Sequence, residues 1–241
     1  MERGEYVRLA AAEERMWWFR GLHANLLAAL AAAPAPRRLL DAGCGTGGLL
    51  ARLAAALPET VLVGLELDAG AAALARGKGR FLLAVGSIDR PPFAAESFDA
   101  VLSADVLCHR GVDEARALAG LRRCLRPGGL LVLNLPAHRW LYSAHDAAVD
   151  NARRYGRAEL RRLLAAAGFA RIRARHWNSF LFPLMVLRRK LWRRAGGSEV
   201  ELLPAPAERA FGAVLALERR LLRAGLSLPF GGSILVTAVK P

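Results

Sequence analysis

The stretch LLDAGCGTGG at residues 39–48 decides how this chain folds. An apolar run ends on Asp41, glycines follow at 43, 45, 47 and 48 around Cys44 and Thr46, and an apolar helical pattern, GGLLARLAAAL, begins at once. Glycine lets the backbone turn sharply and lets a ligand come close to it. The free N–H groups at the start of the helix favour an anionic group. Gly43-x-Gly45-x-x-Gly48 also satisfies the dinucleotide fingerprint. Asp41 counts against that ligand, because a carboxylate so near the loop would repel a pyrophosphate but suits an ammonium group.

Outward from the loop, strand and helix patterns alternate. Residues 1–33 read as helical, with Trp17, Trp18 and Phe19 in their midst, and Pro34 and Pro36 break the pattern before strand one. After the loop come a strand (VLVGLELD), a helix (AGAAALARG), a strand (FLLAVG) and a strand (SFDAVLSAD). The next helix has Asp113 as N-cap, Leu118, Leu121 and Leu125 on one face, and Arg126-Pro127-Gly128-Gly129 as its stop signal. GLLVLNLP is then a continuous apolar strand, buried on both faces. A polar loop (136–156), a helix closed by Gly168, strand six (169–176) and a last strand, SILVTAVK, complete the order. This predicts an α/β fold: a doubly wound, mostly parallel, Rossmann-like seven-stranded sheet, its last strand antiparallel, with a helical insertion before that strand. The expected divisions are an N-terminal helical segment (1–36), an α/β core (37–177), a basic helical insertion (178–230) and a final core strand (231–241).

The insertion is expected to be a helical hairpin. Phe180, Leu184, Leu187 and Leu191 recur at helical spacing among Arg188, Arg189, Lys190, Arg193 and Arg194. Val214, Leu217 and Leu221 form a second apolar face, with Phe211, Leu215 and Leu222 beside it. Topology places it beside the ligand edge, as a lid, as a surface for anionic membrane, or as plain packing. The net charge of +14, concentrated after residue 150, points to anionic partners. Cys44, Cys108 and Cys124 lack metal-ligand spacing, so no metal site is expected and a reducing, cytoplasmic setting fits. Glu2 and Glu5 argue against a signal peptide, and the apolar stretch from Phe180 to Leu187 is too short to span a bilayer.

The ordered set LLDAGCGTGG, VGLELD, PPFAAESFDAVLSADVLCH and LRPGGLLVLNLP resembles the class I S-adenosylmethionine (SAM)-dependent methyltransferase superfamily, in its type 11-like branch. The resemblance covers roughly residues 37–176 and implies SAM as the cofactor. It implies that Asp41, Gly43, Cys44, Gly45 and Gly47 hold the methionine part, that Glu66 binds the ribose, and that Leu67, Ser87, Ile88 and Ala104 line the rest of the cofactor site. Relatives often carry an acidic residue at the position of Ser87, a role Asp89 could take here.

Ligands of open α/β sheets bind at the carboxyl ends of the strands, so acceptor-side groups should follow strands four to six. His109, His145 and Asp146 are the expected catalytic groups, and Trp140, Tyr142, Arg154 and Tyr155 the expected acceptor contacts. EERMWWF and the segment 138–155 resemble a bacterial subgroup with an HD…H.RRY pattern, from which Met16 and Asn151 depart where relatives have histidine. The expected activity is methyl transfer to a small-molecule or lipid-linked acceptor, with peripheral contact at the inner membrane as an extension. The alternatives are a non-catalytic SAM-binding module and an NAD(P)-dependent oxidoreductase. Asp41 and the absence of a Tyr-x-x-x-Lys pair disfavour the latter. A nucleic-acid substrate is supported by charge alone.

Overall fold

A computed structural model describes residues 10–191 and 202–241. The N-terminal region is helical at 10–12, breaks, and resumes as α1 (Trp17–Leu30). The core alternates β1 (Arg38–Ala42), α2 (Gly48–Ala56), β2 (Val61–Glu66), α3 (Ala69–Arg76), β3 (Leu82–Val85), β4 (Phe98–Ala104), α4 (Glu114–Cys124) and β5 (Leu125–Pro136). A 3-10 turn (Arg139–Leu141) and the short α5 (Ala144–Ala148) precede α6 (Arg157–Ala166) and β6 (Ala170–Trp177). Helices α7 (Phe182–Leu191) and α8 (Ala205–Arg223) then lead into β7 (Ser233–Val239).

The seven strands lie in the order β3-β2-β1-β4-β5-β7-β6. Pairings among β3, β2, β1, β4 and β5 are parallel, and β7 runs antiparallel to both β5 and β6. Strand order reverses between β1 and β4, so a crevice opens at the carboxyl ends of those two strands. The buried apolar side chains fall into two clusters, as a doubly wound sheet requires. One joins the sheet to α4 and α6 through Leu118, Leu121, Leu160 and Leu164. The other joins it to α1, α2 and α8 through Leu22, Leu26, Leu50, Leu53 and Leu215.

Local chemistry sets the element ends. The Asp113 carboxylate accepts from the Ala115 and Arg116 N–H groups, each at 3.1 Å, and so starts α4. The stop signal after α4 works differently from expectation. Helix α4 ends at Cys124, and Arg126 to Gly129 are already part of β5, where Gly128 N–H donates to Lys240 O (2.8 Å). Pairing with the chain's last residues extends the strand through its glycines.

The inward face of α8 also differs from the sequence expectation. Leu215 is buried together with Glu208 and Glu218, whereas Leu217 is exposed. The reason is that the two glutamates each serve a neighbouring helix. Glu208 Oε2 accepts from Trp17 N–H at the start of α1, whose own N-cap, Met16, offers no side-chain acceptor. Glu218 accepts from Ser179 N–H (3.0 and 2.9 Å to its two oxygens) and Phe180 N–H (3.4 Å), just ahead of α7. Expected basic residues Arg193 and Arg194 lie outside the described residues. Among the described residues no helix is long and apolar enough to cross a membrane, and no cluster of side chains could hold a metal ion.

Candidate active site

The glycine loop closes β1 at the switch point. Gly43 has φ +86°, and a Cβ there would collide with the Val106 side chain, so only glycine fits this approach. The Gly43 and Cys44 N–H groups both donate to Leu65 O (2.7 and 3.0 Å), which fixes the loop against β2. Glu66, at the end of β2, accepts from Gly45 N–H (2.8 Å) through Oε2 and from Asp68 N–H (3.0 Å) through Oε1. Gly47, at φ +83°, faces Ala75 rather than the cavity. It turns the chain into α2.

Asp41 is 1 % exposed, and its Oδ2 has no hydrogen-bond partner. Burial first, then the carboxylates of Glu13 and Glu66, push its pKa up to about 8. Glu13 reaches the loop from the N-terminal segment, packing against Gly48 and pairing with Lys78 at 3.0 Å. Three carboxylates therefore converge where the loop meets α2, an arrangement that stabilises a cation and repels a pyrophosphate. The Cys44 thiol lines the same wall, with its pKa raised by burial and then by Asp41 and Glu66, so it stays protonated.

These groups line a cavity of about 660 Å³. Leu67, 71 % exposed overall, and Ser87, Ile88 and Ala104 also line it. Asp89 is not on its wall; one of its oxygens accepts from Asp113 N–H (3.2 Å). Trp17, Trp18 and Phe19 of α1 and Phe211 of α8 form an aromatic wall that individual residues of the sequence had not placed at the site.

His109, His145, Asn151 and Arg154 line the same cavity. Burial lowers the pKa of His109 against the opposing pull of Asp150, which leaves a neutral imidazole able to accept a proton. Asp146 is fully buried and engaged on both oxygens. Oδ1 accepts from Arg154 Nε (2.9 Å) and Nη2 (2.8 Å), and Oδ2 accepts from Ser143 N–H (2.9 Å) and lies 3.5 Å from Arg189 Nη1. Burial would raise its pKa, but Arg154 and Arg189 hold it below the usual carboxylate range. It anchors the arginines and is absent from the cavity wall, which corrects its expected place as a group facing the acceptor.

Three expected acceptor contacts also lie off the wall. Tyr155 is buried, donating to Glu114 Oε1 (2.6 Å). Tyr142 donates to Asn151 O (2.9 Å), and Trp140 packs edge-on against Phe182 with ring centres 6.2 Å apart. Their aromatic character had suggested stacking on a ligand; each instead fixes the 138–155 segment.

Asp105 is the group that sequence reasoning passed over. It lies one residue beyond β4, lines the cavity and has φ +55°, a conformation Asp tolerates better than most residues. Its Oδ2 accepts from Asn134 Nδ2 (2.9 Å), and Asn134 Oδ1 accepts from Trp177 Nε1 (2.7 Å), so the indole fixes which way the amide points. Burial pushes the Asp105 pKa up to about 7, although Asn134 and Arg154 oppose the shift. The available signal was position: a carboxylate directly after a buried strand at the ligand edge.

Comparison with known proteins bears on this geometry. The profile of a methyltransferase domain family matches residues 40–133. A protein of Mycolicibacterium smegmatis named "Probable S-adenosylmethionine-dependent methyltransferase" is 32% identical over 169 residues, 69% of this chain and 64% of that protein. A malonyl-acyl-carrier-protein O-methyltransferase of Dechloromonas aromatica is 36% identical over 146 residues, 57% of this chain and 53% of that protein. The chain thus spans between about half and two thirds of the length of these curated relatives. Among solved structures, a SAM-dependent methyltransferase of Thermotoga maritima shares the fold with a TM-score of 0.64 and 19% identity, covering 99% of this chain and 95% of that one.

Proposed function

We propose that the chain is a class I SAM-dependent methyltransferase, which transfers a methyl group from SAM to a small-molecule or lipid-linked acceptor. The observation that carries this reading is one cavity whose wall holds the carboxylates of Asp41, Glu13 and Glu66 beside the glycine loop together with apolar and arginine side chains. The residues present fit SAM. Asp41 Oδ2, buried and without a partner, suits the ammonium of the methionine part. Each Glu66 oxygen already accepts one N–H and retains a second lone pair for a ribose hydroxyl. Leu67 and Ile88 offer apolar surface to the adenine.

When bound, SAM supplies a methyl group on a sulfonium, open to in-line displacement. Much of the rate then comes from holding the acceptor in line, which falls to the walls of the cavity. If the acceptor must lose a proton, Asp105 is the best-placed group to take it, with His109 next. Asp146 supports this end indirectly by fixing Arg154. A lipid-linked acceptor is supported by the rim. Leu184 and Leu187 on α7 are each 49 % exposed, and Leu184 lines the cavity together with Arg188. Apolar and basic side chains so arranged suit an anionic membrane surface.

Calorimetry with SAM, S-adenosylhomocysteine and NADH tests the cofactor; binding of NADH in preference to SAM would overturn the reading. A labelled-methyl screen across soluble and lipid-linked acceptors separates catalysis from mere binding. Sedimentation with vesicles containing about a third anionic lipid tests the rim, and no binding at low salt would remove the membrane part.

A further inference from the structure

Three guanidinium groups line the cavity: Arg154 from the segment after β5, and Arg188 and Arg189 from α7. Two of them meet at one carboxylate. Asp146 Oδ1 lies 2.8 Å from Arg154 Nη2, and Asp146 Oδ2 lies 3.5 Å from Arg189 Nη1. Both arginine side chains are nearly enclosed, 4 % and 7 % exposed. Asp146 itself is off the wall, so it holds the two cations in place from behind. Arg188, next to Arg189 on the helix, is exposed and adds a third charge on the same wall.

Arg154 is only partly engaged. Its Nε and Nη2 face Asp146, and its Nη1 donates to Ala137 O (3.0 Å). A guanidinium carries five N–H bonds, so three are used and two are left to give. Burial, then Arg189, lowers the Arg154 pKa against the pull of Asp146 and Asp105. Like charges held this close in a partly dry site repel, and a further anion beside them relieves that repulsion. Two carboxylates of the cavity wall do little to supply it. Asp105 has a pKa of about 7 and is only partly ionised at neutral pH, and Asp150 is exposed and faces Arg110 (3.5 Å). Leu181, Leu184 and Met185, just ahead of the arginines in the chain, line the cavity with them.

The geometry points to a methyl acceptor that carries an anionic oxygen group, a carboxylate or a phosphate, held by Arg154 and Arg189 with Arg188 beside them. An apolar part of the same molecule lies on Leu181, Leu184 and Met185. The planar fork of a guanidinium matches both oxyanions and gives direction as well as charge. The Asp146 carboxylate fixes the forks before the ligand arrives, so little side-chain freedom is lost on binding. The three arginines position the acceptor and take no part in the methyl step. The proposal rests on the methyltransferase reading and adds to it the chemical class of the acceptor.

The test is calorimetry on the full chain, first with S-adenosylhomocysteine and then, once that is saturating, with octyl phosphate, octanol and inorganic phosphate. Octyl phosphate should bind at least roughly tenfold more tightly than octanol, the gain expected from hydrogen bonds to a charged group. Inorganic phosphate should bind more weakly than octyl phosphate, since it leaves the apolar side chains uncovered; equal affinity would overturn the apolar part and leave a site for a free anion. Arg189→Gln should weaken octyl phosphate roughly tenfold and change octanol and S-adenosylhomocysteine by less than about twofold. The Asp146–Arg154 pair stays intact in that variant. Arg188→Gln, at an exposed position, should show the same selectivity and serves if Arg189→Gln fails to fold. No preference for octyl phosphate over octanol, or an equal loss for all three ligands in the variants, would overturn the anion site. Wild-type protein that binds S-adenosylhomocysteine but not octyl phosphate would overturn this proposal alone. Protein that binds neither would overturn it together with the methyltransferase reading.

Discussion

Replacing Asp41 by Asn should stabilise the ligand-free protein while damaging cofactor binding. Its pKa rises from 3.8 to about 8 in the fold, with burial the largest cause. The fold therefore favours the protonated acid. The stability linked to this group is fully present below about pH 4 and is lost progressively as pH rises towards 8. At pH 7 the native state must hold a proton that the unfolded chain has released. Over roughly three pH units, at about 1.4 kcal/mol each, the difference amounts to ~4 kcal/mol. An Asn amide does not titrate, though it would be as poorly satisfied as Asp41 Oδ2 is. A net gain of about 1–3 kcal/mol for Asp41→Asn at pH 7 is therefore expected, several degrees in Tm for a chain of this size. Binding should move the other way. At pH 7 the acid is mostly protonated, so pairing with the ligand's ammonium must displace a proton. Affinity for S-adenosylhomocysteine should fall about tenfold per unit as pH drops below 8, with close to one proton released. It should fall again above pH 8 as the ligand's own amine, with a pKa of about 8, loses its charge. Scanning fluorimetry of both proteins from pH 5 to 9, with and without ligand, reads out both effects. A wild-type minus variant Tm difference that does not change with pH would refute the reasoning, whatever its sign.

Other perturbations test other parts of the site. With an acceptor in hand, Asp105→Asn should lower kcat/KM and remove an acidic limb near pH 7, leaving S-adenosylhomocysteine affinity within about twofold; a limb that persists would transfer the role to another group. Asp146→Ala leaves Arg154 buried without its carboxylate and should cost about 3–5 kcal/mol by urea denaturation. The double variant Asp146→Ala with Arg154→Met should regain part of that, and strictly additive losses would show the pair to be uncoupled. Glu218→Ala strips the acceptor from Ser179 and Phe180 N–H and should cost about 2–4 kcal/mol, with Glu218→Gln milder; an unchanged midpoint would mean that α7 is held elsewhere.

The sheet was legible because its signals are local. Asp41 closing an apolar run, glycines turning into a helix and Asp113 capping α4 each depend on residues a few positions apart. The cavity wall near the glycine loop was legible for the same reason, since Asp41, Gly43, Gly45, Glu66, Ser87 and Ile88 sit on or beside strand ends. The segment after β5 was read less well because its chemistry depends on distant partners. Asp146 looked like a free acid beside His145, yet its neighbour in space is Arg154, and only the fold shows both its oxygens engaged. Asp105 looked like an ordinary strand end until burial and the Asn134–Trp177 hydrogen bonds gave it a shifted pKa. Glu13 reaches the loop from the N-terminal segment, a contact no spacing rule encodes.

The two glutamates of α8 redraw the map of the chain. Glu208 and Glu218 are ten positions apart, about 15 Å along a helix, and each holds the first turn of a different segment. Through them a stretch near residue 17 and another near residue 180 share a single support, although six of the seven strands lie between them in sequence. Trimming the insertion to obtain a shorter chain would therefore unseat α1, and with it the aromatic wall of the cavity. Amide exchange should find α1, α7 and α8 opening together as one cooperative unit, distinct from the strands. The working division of this protein is then a sheet and a three-helix roof drawn from both ends of the chain.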